Sequence, residues 1–323
     1  MNKTIILIIC ISTLSTNVAL AYQAFTENGF DLSDSIVPRY EIEHGGPPRD
    51  VIPALTDPLF TPVNKDKVKE DSRVLGVYVN GIAKAYPLKI MNWHEIVNDK
   101  FDDQAVLITY CPLCFSGIAF NPVFNGKRHF FGVSGLLYNS DVLLYDRQTE
   151  SLWSQIMSKA ISGKYVNQVM ETFPVVNTTL RAWLAKHPDS LILSKETGYA
   201  RNYEADPYFK YRQSNELMFS VKFRSQGYHP KELVLGISLN DISKAYPLSE
   251  LSRADGFIKD NIAGKEIYIS YNKDEQSGII SDSDCKLLPA ITMFWFAWYA
   301  FNPETEIFDA SKYSQPSDID HCK

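Results

Sequence analysis

The sequence has 323 residues and a formal net charge of −6, with 45% hydrophobic and 13% aromatic residues. An acidic chain lacks the basic surface that nucleic-acid binding requires, so we expect no nucleic-acid partner. The length provides an ample core for one large domain. We expect a single globular domain over residues 22–310, followed by a C-terminal tail at residues 311–323.

The N-terminal segment has the pattern of a secretory signal peptide. Lys3 precedes an apolar run, Ile5–Ile11, and Ala19-Leu20-Ala21 forms a small-x-small cleavage site. We therefore assign residues 1–21 to a signal peptide and expect an exported protein, either periplasmic or secreted. The apolar run at 291–301 falls short of the ~18 residues of a spanning helix, so we interpret it as a buried helix and expect no integral membrane protein.

An internal repeat organises the rest of the chain. Residues 74–88, VLGVYVNGIAKAYPL, resemble residues 234–248, VLGISLNDISKAYPL. Each stretch alternates apolar and polar residues around a turn dipeptide, which predicts a β-hairpin, and the proline that follows suits the first turn of a helix. In the first copy we expect this helix to reach about Asp99, with a strand after it. The sequence therefore predicts an α+β fold, with a duplicated ββαβ unit at about 74–120 and 234–280.

The region between the two copies is predicted to be mostly antiparallel β. Asn125-Gly126 marks a further hairpin. One amphipathic helix is predicted from Thr178 to His187, where Pro188 ends it. Further strands are predicted at Val142–Tyr145, Ser151–Ser154 and Leu191–Leu193.

The two copies differ in the residues that carry chemistry. Cys111, Cys114 and His94 occur only in the first copy. Their counterparts in the second copy are, in the same order, Asn272, Glu275 and Ala254. Residues that build the unit recur in both copies, whereas the two thiols and the imidazole do not. We therefore predict a functional site that contains Cys111, Cys114 and His94.

The centre of the predicted site is the sequence Cys111-Pro112-Leu113-Cys114. Gly117 and Pro122, with apolar residues alternating between them, predict a strand after this motif, so no helix dipole activates the first thiol and both should titrate near the ordinary ~8.5. A CxxC between strands is typical of a metal-binding knuckle. Two thiolates and an imidazole suit Cu(I) or Zn²⁺. The leading hypothesis is soft-metal binding, with a metal-donor or metal-acceptor protein as partner.

Two alternatives remain open for the cysteine pair. The chain is a thiol–disulfide oxidoreductase or thiol-dependent lyase, or it is a non-catalytic binding module in which Cys111 and Cys114 form a structural disulfide. His94 on an apolar helix face equally suits a core histidine with satisfied ring nitrogens. Cys285 and Cys322 suit a stabilising disulfide, although the four cysteines of the mature chain allow three connectivities.

A polar and aromatic cluster follows the CxxC motif. It lines a pocket beside the thiols, or it forms a hairpin in which Asp146 and Arg147 satisfy the backbone of a turn. If His94 is not a ligand, Asp141 and Asp146 are the next candidates. The members of the cluster are Tyr138, Asn139, Asp141, Asp146, Arg147 and Trp153.

Several stretches resemble a family of exported proteins described as a domain of unknown function, number 3179. They are Ile52–Pro58, Asn92–Asp99, Tyr110–Cys114, Phe131–Asp141 and Tyr145–Gln155. The resemblance spans about residues 50–310 and implies no established activity. The chain departs from the family at Phe115-Ser116, where a small residue is expected, and this departure is expected to alter access to the thiols. The doubled ββαβ unit resembles, more remotely, the NosL copper chaperones and the related organomercurial lyases, whose cysteines bind a soft metal.

The signal-peptide assignment predicts a mature N terminus at Tyr22, or within a few residues of it. Mass spectrometry of the protein from its native host measures that terminus. Because export removes the signal segment, a chain that still begins at Met1 contradicts the assignment.

Overall fold

The fold is mostly β. The structure is a computed structural model that describes residues 26–62, 68–254, 256–314 and 322. The predicted signal peptide and most of the tail lie outside these residues. Strands account for 42% of the described residues and helices for 13%, and the larger sheets are arranged as the five blades of a β-propeller. The predicted α+β class is therefore wrong.

The strands are short and follow one another closely along the chain. In chain order they are β1 Thr26–Glu27, β2 Phe30–Asp31, β3 Ile42–His44, β4 Leu55–Thr56, β5 Phe60–Pro62, β6 Arg73–Val79, β7 Ile82–Pro87, β8 Ile96–Phe101, β9 Gln104–Cys111, β10 Ser116–Phe120, β11 Val123–Phe124, β12 Lys127–Arg128, β13 Phe131–Tyr138, β14 Asp141–Asp146, β15 Leu152–Ser154, β16 Lys159–Ser162, β17 Thr172–Phe173, β18 Val176–Thr179, β19 Leu191–Leu193, β20 Leu233–Leu239, β21 Ile242–Pro247, β22 Phe257–Ile262, β23 Lys265–Asn272, β24 Ser277–Asp282, β25 Ile291–Phe294 and β26 Glu306–Ile307.

The helices are also short. The α-helices are α1 Leu88–His94, α2 Leu180–Lys186, α3 Phe209–Gln213, α4 Leu248–Arg253 and α5 Trp295–Phe301. Two 3₁₀-helices lie at Arg39–Glu41 and Ala310–Lys312. None of the helices in the described part of the chain has the length and apolar character needed to cross a membrane.

We number the five larger sheets as blades. The strand orders are β18-β6-β7-β19-β5 in blade 1, β17-β10-β9-β8-β4 in blade 2, β16-β15-β14-β13-β3 in blade 3, β25-β20-β21-β26 in blade 4 and β22-β23-β24 in blade 5. Most neighbouring strands are antiparallel, and parallel pairs occur only at short strands such as β19 against β7 and β4 against β8. The antiparallel pairing places hairpin turns at the ends of the blades, where side chains from different blades meet.

The predicted ββαβ unit does not form one structural unit. The hairpin β6–β7 belongs to blade 1, whereas β8, β9 and β10 belong to blade 2. Helix α1 ends at His94 because Glu95 has a φ of 57° and its N–H bonds to Met91 O at 2.8 Å. Residues 96–99, predicted as the end of the helix, instead belong to β8, which pairs with β9 along its whole length. The spacing of the apolar residues fits a helix and a strand equally well. These residues form a strand because they pair with β9.

The two similar stretches nevertheless form hairpins of the same register. Val74 pairs with Pro87 in β6–β7, and Val234 pairs with Pro247 in β20–β21. In each hairpin a glycine lies directly beneath an indole. A Cβ at Gly76 would come within 2.2 Å of the Trp183 ring. A Cβ at Gly236 would come within 2.2 Å of the Trp298 ring. Helices α2 and α5 thus cover blades 1 and 4 through a close contact that only glycine allows.

The segment at 291–301 is only partly helical. Its first residues form β25, which pairs with β20 and completes blade 4, and the helix begins at Trp295. Strand β25 pairs with the backbone N–H and C=O groups on the side of β20 that faces away from β21. A helix over the same residues would leave those groups without partners. The prediction of a helix over residues 291–301 is therefore wrong for Ile291–Phe294, which form β25.

The described cysteines divide into one bonded pair and two free thiols. Cys285 and Cys322 form a disulfide with a Cα–Cα separation of 5.2 Å, as the sequence suggested. Cys111 and Cys114 are both free and buried. The disulfide joins the chain after β24 to a point near the C terminus, so it limits the freedom of that end of the unfolded chain.

The close glycine–indole contacts predict that Gly76→Ala and Gly236→Ala each lower the free energy of unfolding by about 1–3 kcal/mol, because a methyl group must displace a packed tryptophan. The matched control is Gly227→Ala, where the nearest atom to an added Cβ is Ser225 Oγ at 3.5 Å. Urea unfolding measures all three. If Gly76→Ala and Gly227→Ala change the free energy of unfolding equally, the contact with Trp183 does not require glycine at position 76.

Candidate metal centre

The CxxC motif forms the turn between two strands of blade 2. Cys111 is the last residue of β9 and pairs with Ser116, the first residue of β10. The strand predicted after the motif is therefore confirmed. Two contacts fix the turn from outside: Tyr211 Oη donates to Leu113 O at 3.2 Å, and Phe294 N donates to Cys114 O at 2.8 Å. The thiols therefore lie on a rigid turn.

Phe115 is the large residue that follows the second cysteine, at the position where a small residue was expected. Its φ is 59°, a left-handed conformation that costs free energy for a residue other than glycine. Its ring is buried against Phe294, with centroids 5.4 Å apart, and meets the Tyr110 ring edge-on at 6.1 Å. Phe115 is therefore a core residue that helps to close one side of the thiol site.

A hairpin turn of blade 3 forms the opposite side of the site. Strands β13 and β14 are joined by Asn139 and Ser140, with φ values of 51° and 65°, as a two-residue type I′ turn requires. The turn directs the Ser140 carbonyl to the thiols. Cys114 Sγ donates to Ser140 O at 3.4 Å, and Cys111 Sγ lies 3.9 Å from the same oxygen. The next residue, Asp141, is thereby placed beside the pair.

Cys111, Cys114 and Asp141 form a cluster of possible metal ligands. Their two sulfur atoms and one carboxylate oxygen lie within 4.8 Å of one another, and all three residues are buried. Asp141 Oδ2 accepts from Ile156 N at 3.1 Å. Its Oδ1 is buried without any nitrogen or oxygen donor among the described residues. Two thiolates and a carboxylate are a donor set that Zn²⁺ accepts, so these residues fit a metal ion.

Burial controls the proton affinity of the cluster. It raises the pKa of Cys111, and it raises the pKa of Cys114 well above its ordinary value, with a further contribution from the adjacent Cys111. The prediction that the thiols titrate near the ordinary value is therefore wrong. Burial raises the pKa of Asp141 to about 7, against the opposing effect of backbone N–H donors. Without a metal, the site favours its neutral, protonated form.

Glu95 is a second buried acid in the same region. Burial, together with the charge of Asp141, raises its pKa to about 8. The residue follows His94 directly in the chain, and Tyr110 N donates to its carbonyl at 2.7 Å, one residue before Cys111. Nothing in a local sequence pattern marks an acid at a helix end as buried, so the burial of Glu95 is not predictable from the sequence.

The structure does not bring His94 to the thiols. Its Nδ1 lies 2.8 Å from Pro53 O, and its Nε2 lies 2.7 Å from Tyr203 Oη. A carbonyl only accepts, so Nδ1 carries the proton and Nε2 accepts from the tyrosine. Burial lowers the pKa of His94, which keeps the ring neutral. His94 thus has the satisfied ring nitrogens of a core histidine, and Asp141 instead supplies the third possible ligand atom beside the thiols.

Most of the predicted pocket residues serve other purposes. Asp146 accepts from Thr149 N at 2.8 Å and from Trp153 Nε1 at 3.2 Å, so it organises the turn after β14. Arg147 pairs with Asp50 at 2.8 Å rather than with the turn backbone. These contacts stabilise blade 3 and the turn that follows β14.

Tyr138 and Asn139 hold the neighbouring hairpin. The ring of Tyr138 meets Phe301 edge-on at 5.6 Å, and Asn139 Oδ1 accepts from Lys222 N at 2.8 Å. Of the predicted cluster, Asp141 is therefore the member that contributes a ligand atom beside the thiols.

A long irregular segment covers the site. We call residues 194–232, between β19 and β20, the cover segment; α3 is the α-helix within it. Lys231 Nζ donates to Tyr211 O at 2.6 Å, to Glu216 O at 2.7 Å and to Ser214 O, which ties the end of the segment to its middle. Long loops of this kind in compact domains are commonly functional. The sequence lacks a periodic pattern here, so the cover was not predicted.

The cover segment contributes to the burial of both thiols. Cys111 is 1% exposed and Cys114 is fully buried, and Tyr211 of the cover bonds to the turn between them. Tyr203 reaches His94 from the same segment. These two contacts place the cover segment against the thiol turn and against the helix that ends at His94.

Fold and site together define a β-propeller protein with a buried dithiol–carboxylate cluster. The chain belongs to the family described as "Protein of unknown function (DUF3179)", which matches residues 49–286 and so includes the whole cluster. No curated protein and no solved structure matches the chain. The resemblance to NosL copper chaperones and organomercurial lyases is not supported.

The raised carboxyl pKa values predict how the stability of the metal-free, reduced protein depends on pH. Asp141 and Glu95 titrate at about 7 and about 8 when folded, but near ~3.9 and ~4.3 when unfolded. Between these values the folded state binds more protons, so the free energy of unfolding should fall as the pH rises from about 4 to 8. Urea unfolding at several pH values, with a chelator present, measures this slope.

Asp141→Asn removes one titrating group and should flatten that slope, whereas the control Asp103→Asn, at an exposed turn, should not. Identical pH profiles for the wild type and Asp141→Asn would contradict the assignment of Asp141 as a buried acid that is neutral when folded.

Proposed function

We propose that this protein binds a thiophilic metal ion through Cys111, Cys114 and Asp141. The observation that carries the proposal is the approach of three ligand atoms from two blades to within 4.8 Å of one another. Asp141 Oδ1 is buried without a nitrogen or oxygen donor among the described residues, and a bound cation would remove the energetic cost of that burial. The proposal keeps the soft-metal hypothesis drawn from the sequence and replaces the imidazole with a carboxylate.

The donor set suits Zn²⁺ better than Cu(I). Zn²⁺ accepts thiolate and carboxylate ligands together, at about 2.3 Å for sulfur and 2.0–2.2 Å for oxygen. Cu(I) is softer and selects thiolates, so a carboxylate would add little to its affinity. Two thiolates and a carboxylate carry three negative charges, of which a divalent cation offsets two in a site that excludes water. We therefore propose Zn²⁺ as the preferred ion, with Cu(I) bound by the cysteine pair as the second candidate.

Metal and protons compete for this site. Both thiols bind their protons more tightly than usual because they are buried, and Asp141 is largely protonated below about pH 7. Metal ligands must be deprotonated, so metal binding releases these protons and the affinity rises with pH. A neutral site in the metal-free state also avoids burying three uncompensated charges.

The environment of the thiols argues against an oxidoreductase. Reactive cysteines have a lowered pKa and an exposed thiolate, often at a helix N terminus. Here both pKa values are raised, both thiols are buried, and β10 follows the motif. A structural disulfide is also disfavoured, because Cys111 and Cys114 are free whereas Cys285 and Cys322 are bonded.

We also propose that the protein works outside the cytoplasm. The signal-peptide pattern of residues 1–21 motivates this, and the Cys285–Cys322 disulfide supports it, because such bonds persist in oxidising compartments. A bound metal would then protect the free pair from oxidation. Exchange of that metal with a donor or acceptor protein would require displacement of part of the cover segment.

The reduced protein is expected to bind about one equivalent of Zn²⁺, measured by competition with a chromophoric chelator. Cys111→Ser and Cys114→Ser should abolish this binding because each removes a thiolate. Asp141→Asn should weaken it at least about tenfold, since an amide is a poorer ligand than a carboxylate and even outer-shell changes cost 10–100-fold.

The matched control is His94→Gln, which should keep the stoichiometry of one ion because the His94 ring bonds to Pro53 and Tyr203 instead of the site. Wild-type affinity in Asp141→Asn, combined with loss of binding in His94→Gln, would reject this ligand set in favour of the one first predicted from the sequence.

A further inference from the structure

Blade 5 repeats the central hairpin of blade 2 in the same register. In blade 2, Thr109 of β9 pairs with Ile118 of β10. In blade 5, Ser270 of β23 pairs with Ile279 of β24. Because side chains alternate between the two faces of a strand, residues at equivalent register positions lie on equivalent faces of the two sheets. What covers this face in blade 2 therefore indicates which ligand suits the matching face of blade 5.

In blade 2 this face is covered by blade 3, which contacts it through a glutamine carboxamide. Ser116 Oγ donates to Gln155 Oε1 at 2.7 Å, and Gln155 Nε2 donates to Thr109 Oγ1 at 2.8 Å. All three residues are fully buried. A carboxamide has an accepting oxygen and a donating NH₂ group, and the two hydroxyls bind one of each. The hydroxyl pair of blade 2 is therefore a receptor for a primary amide.

The equivalent hydroxyls of blade 5 face a cavity instead. Ser270 and Ser277 stand where blade 2 has Thr109 and Ser116. Both serines line a cavity of about 950 Å³ between blades 5 and 1, and both are partly exposed. Among the described residues, neither hydroxyl makes a hydrogen bond. Blade 5 thus presents the same pair of hydroxyls without the glutamine that fills it in blade 2.

The walls of the cavity are largely apolar and aromatic. Trp183 and Tyr78 line it from the side of blade 1, and Ile279 and Leu287 line it from the side of blade 5. The His187 ring, also in the lining, contacts the rings of Trp183 and Tyr78 with centroid separations of 4.2 and 5.0 Å. Ligand sites typically have such walls, a few polar groups that fix orientation, and volumes of ~300–1,000 Å³. The cavity therefore has the size and surface of a ligand site.

We propose that this cavity binds a peptide segment that carries a glutamine side chain. Ser277 Oγ donates to the carboxamide oxygen, and Ser270 Oγ accepts from the NH₂ group, which repeats the contacts of Gln155 in blade 2. The occupant is a peptide because Gln155 reaches blade 2 from the polypeptide segment that follows β15, and because the cavity is much larger than one carboxamide. None of the three proposed metal ligands lines the cavity, so this inference is independent of the metal-binding function.

The probe is a peptide that copies Ser154–Ser158, with a fluorophore at its N terminus and an N-methylamide at its C terminus, so that its glutamine is its only primary amide. The control peptide has methionine in place of the glutamine, which keeps a side chain of similar length and adds no charge beside Lys186 and Lys286 of the lining. Fluorescence anisotropy measures both affinities for the wild-type protein with its disulfide intact. The glutamine peptide should bind saturably, and the methionine peptide roughly tenfold or more weakly, because it leaves both hydroxyls without a partner.

Three serine variants separate the hydroxyl pair from the cavity as a whole. Ser270→Ala and Ser277→Ala should each weaken binding of the glutamine peptide roughly fivefold or more, because each removes one hydrogen bond. The matched control is Ser281→Ala. Ser281 also lines the cavity, but blade 2 has Phe120 at the equivalent position, and the Ser281 hydroxyl donates to Tyr268 O at 3.5 Å. This control should keep the wild-type affinity.

Three results would each overturn the proposal. Absence of saturable binding of the glutamine peptide to the wild-type protein shows that the cavity is not a site for such a peptide. Equal affinities for the two peptides show that the carboxamide is not what the cavity recognises, and this comparison does not depend on the folding of any variant. Equal weakening by Ser277→Ala and Ser281→Ala shows that the hydroxyl pair does not hold the amide.

Discussion

The buried ion pair between Lys84 and Asp99 fixes blade 1 against blade 2, and the thiol turn depends on that fit. Lys84 Nζ lies 2.9 Å from Asp99 Oδ2, and Tyr86 Oη donates to the same oxygen at 2.6 Å. Both charged side chains are almost fully buried, so removal of either partner would leave an uncompensated charge, which is strongly destabilising. Asp99 lies on β8, whose partner β9 ends at Cys111. The sheet whose strand β9 ends at the first thiol is therefore anchored to blade 1 by a polar contact.

The second copy shows that the same framework does not require a thiol centre. Lys244 and Tyr246 both bond to Asp260, at 2.7 and 2.8 Å, and so repeat the link between hairpin and sheet. At the following turn, however, Glu275 pairs with Arg181 at 2.8 Å and thereby connects blade 5 to helix α2 of blade 1. The turn that carries cysteines in blade 2 carries a structural ion pair here. Blades 2 and 5 thus share the same turn between their last two long strands. The side chains on the turn differ, with two thiols in blade 2 and a structural ion pair in blade 5.

Local patterns in the sequence predicted local structure well and predicted long-range contacts poorly. The Asn80-Gly81 hairpin, the strand at Leu191–Leu193 and the strand after the CxxC motif follow from turn residues and alternation, which act over a few positions. The helix predicted through Asp99 failed because the apolar spacing fits a strand equally and Glu95 adopts a left-handed backbone that its residue type disfavours. The propeller arises from pairing among strands far apart in the chain, which no local pattern encodes.

The same limit explains why Asp141 was only a reserve candidate from the sequence. It reaches the thiols because a type I′ turn of blade 3 meets a turn of blade 2, and neither turn indicates that meeting alone. Among the described residues, two buried side-chain oxygens at this meeting have no hydrogen-bond partner, Asp141 Oδ1 and Ser140 Oγ. Such atoms are rare in native proteins because each loses its hydrogen bonds to water. Because these two oxygens lie beside a pair of free thiols, they are the atoms whose missing partners the proposed metal ion would supply.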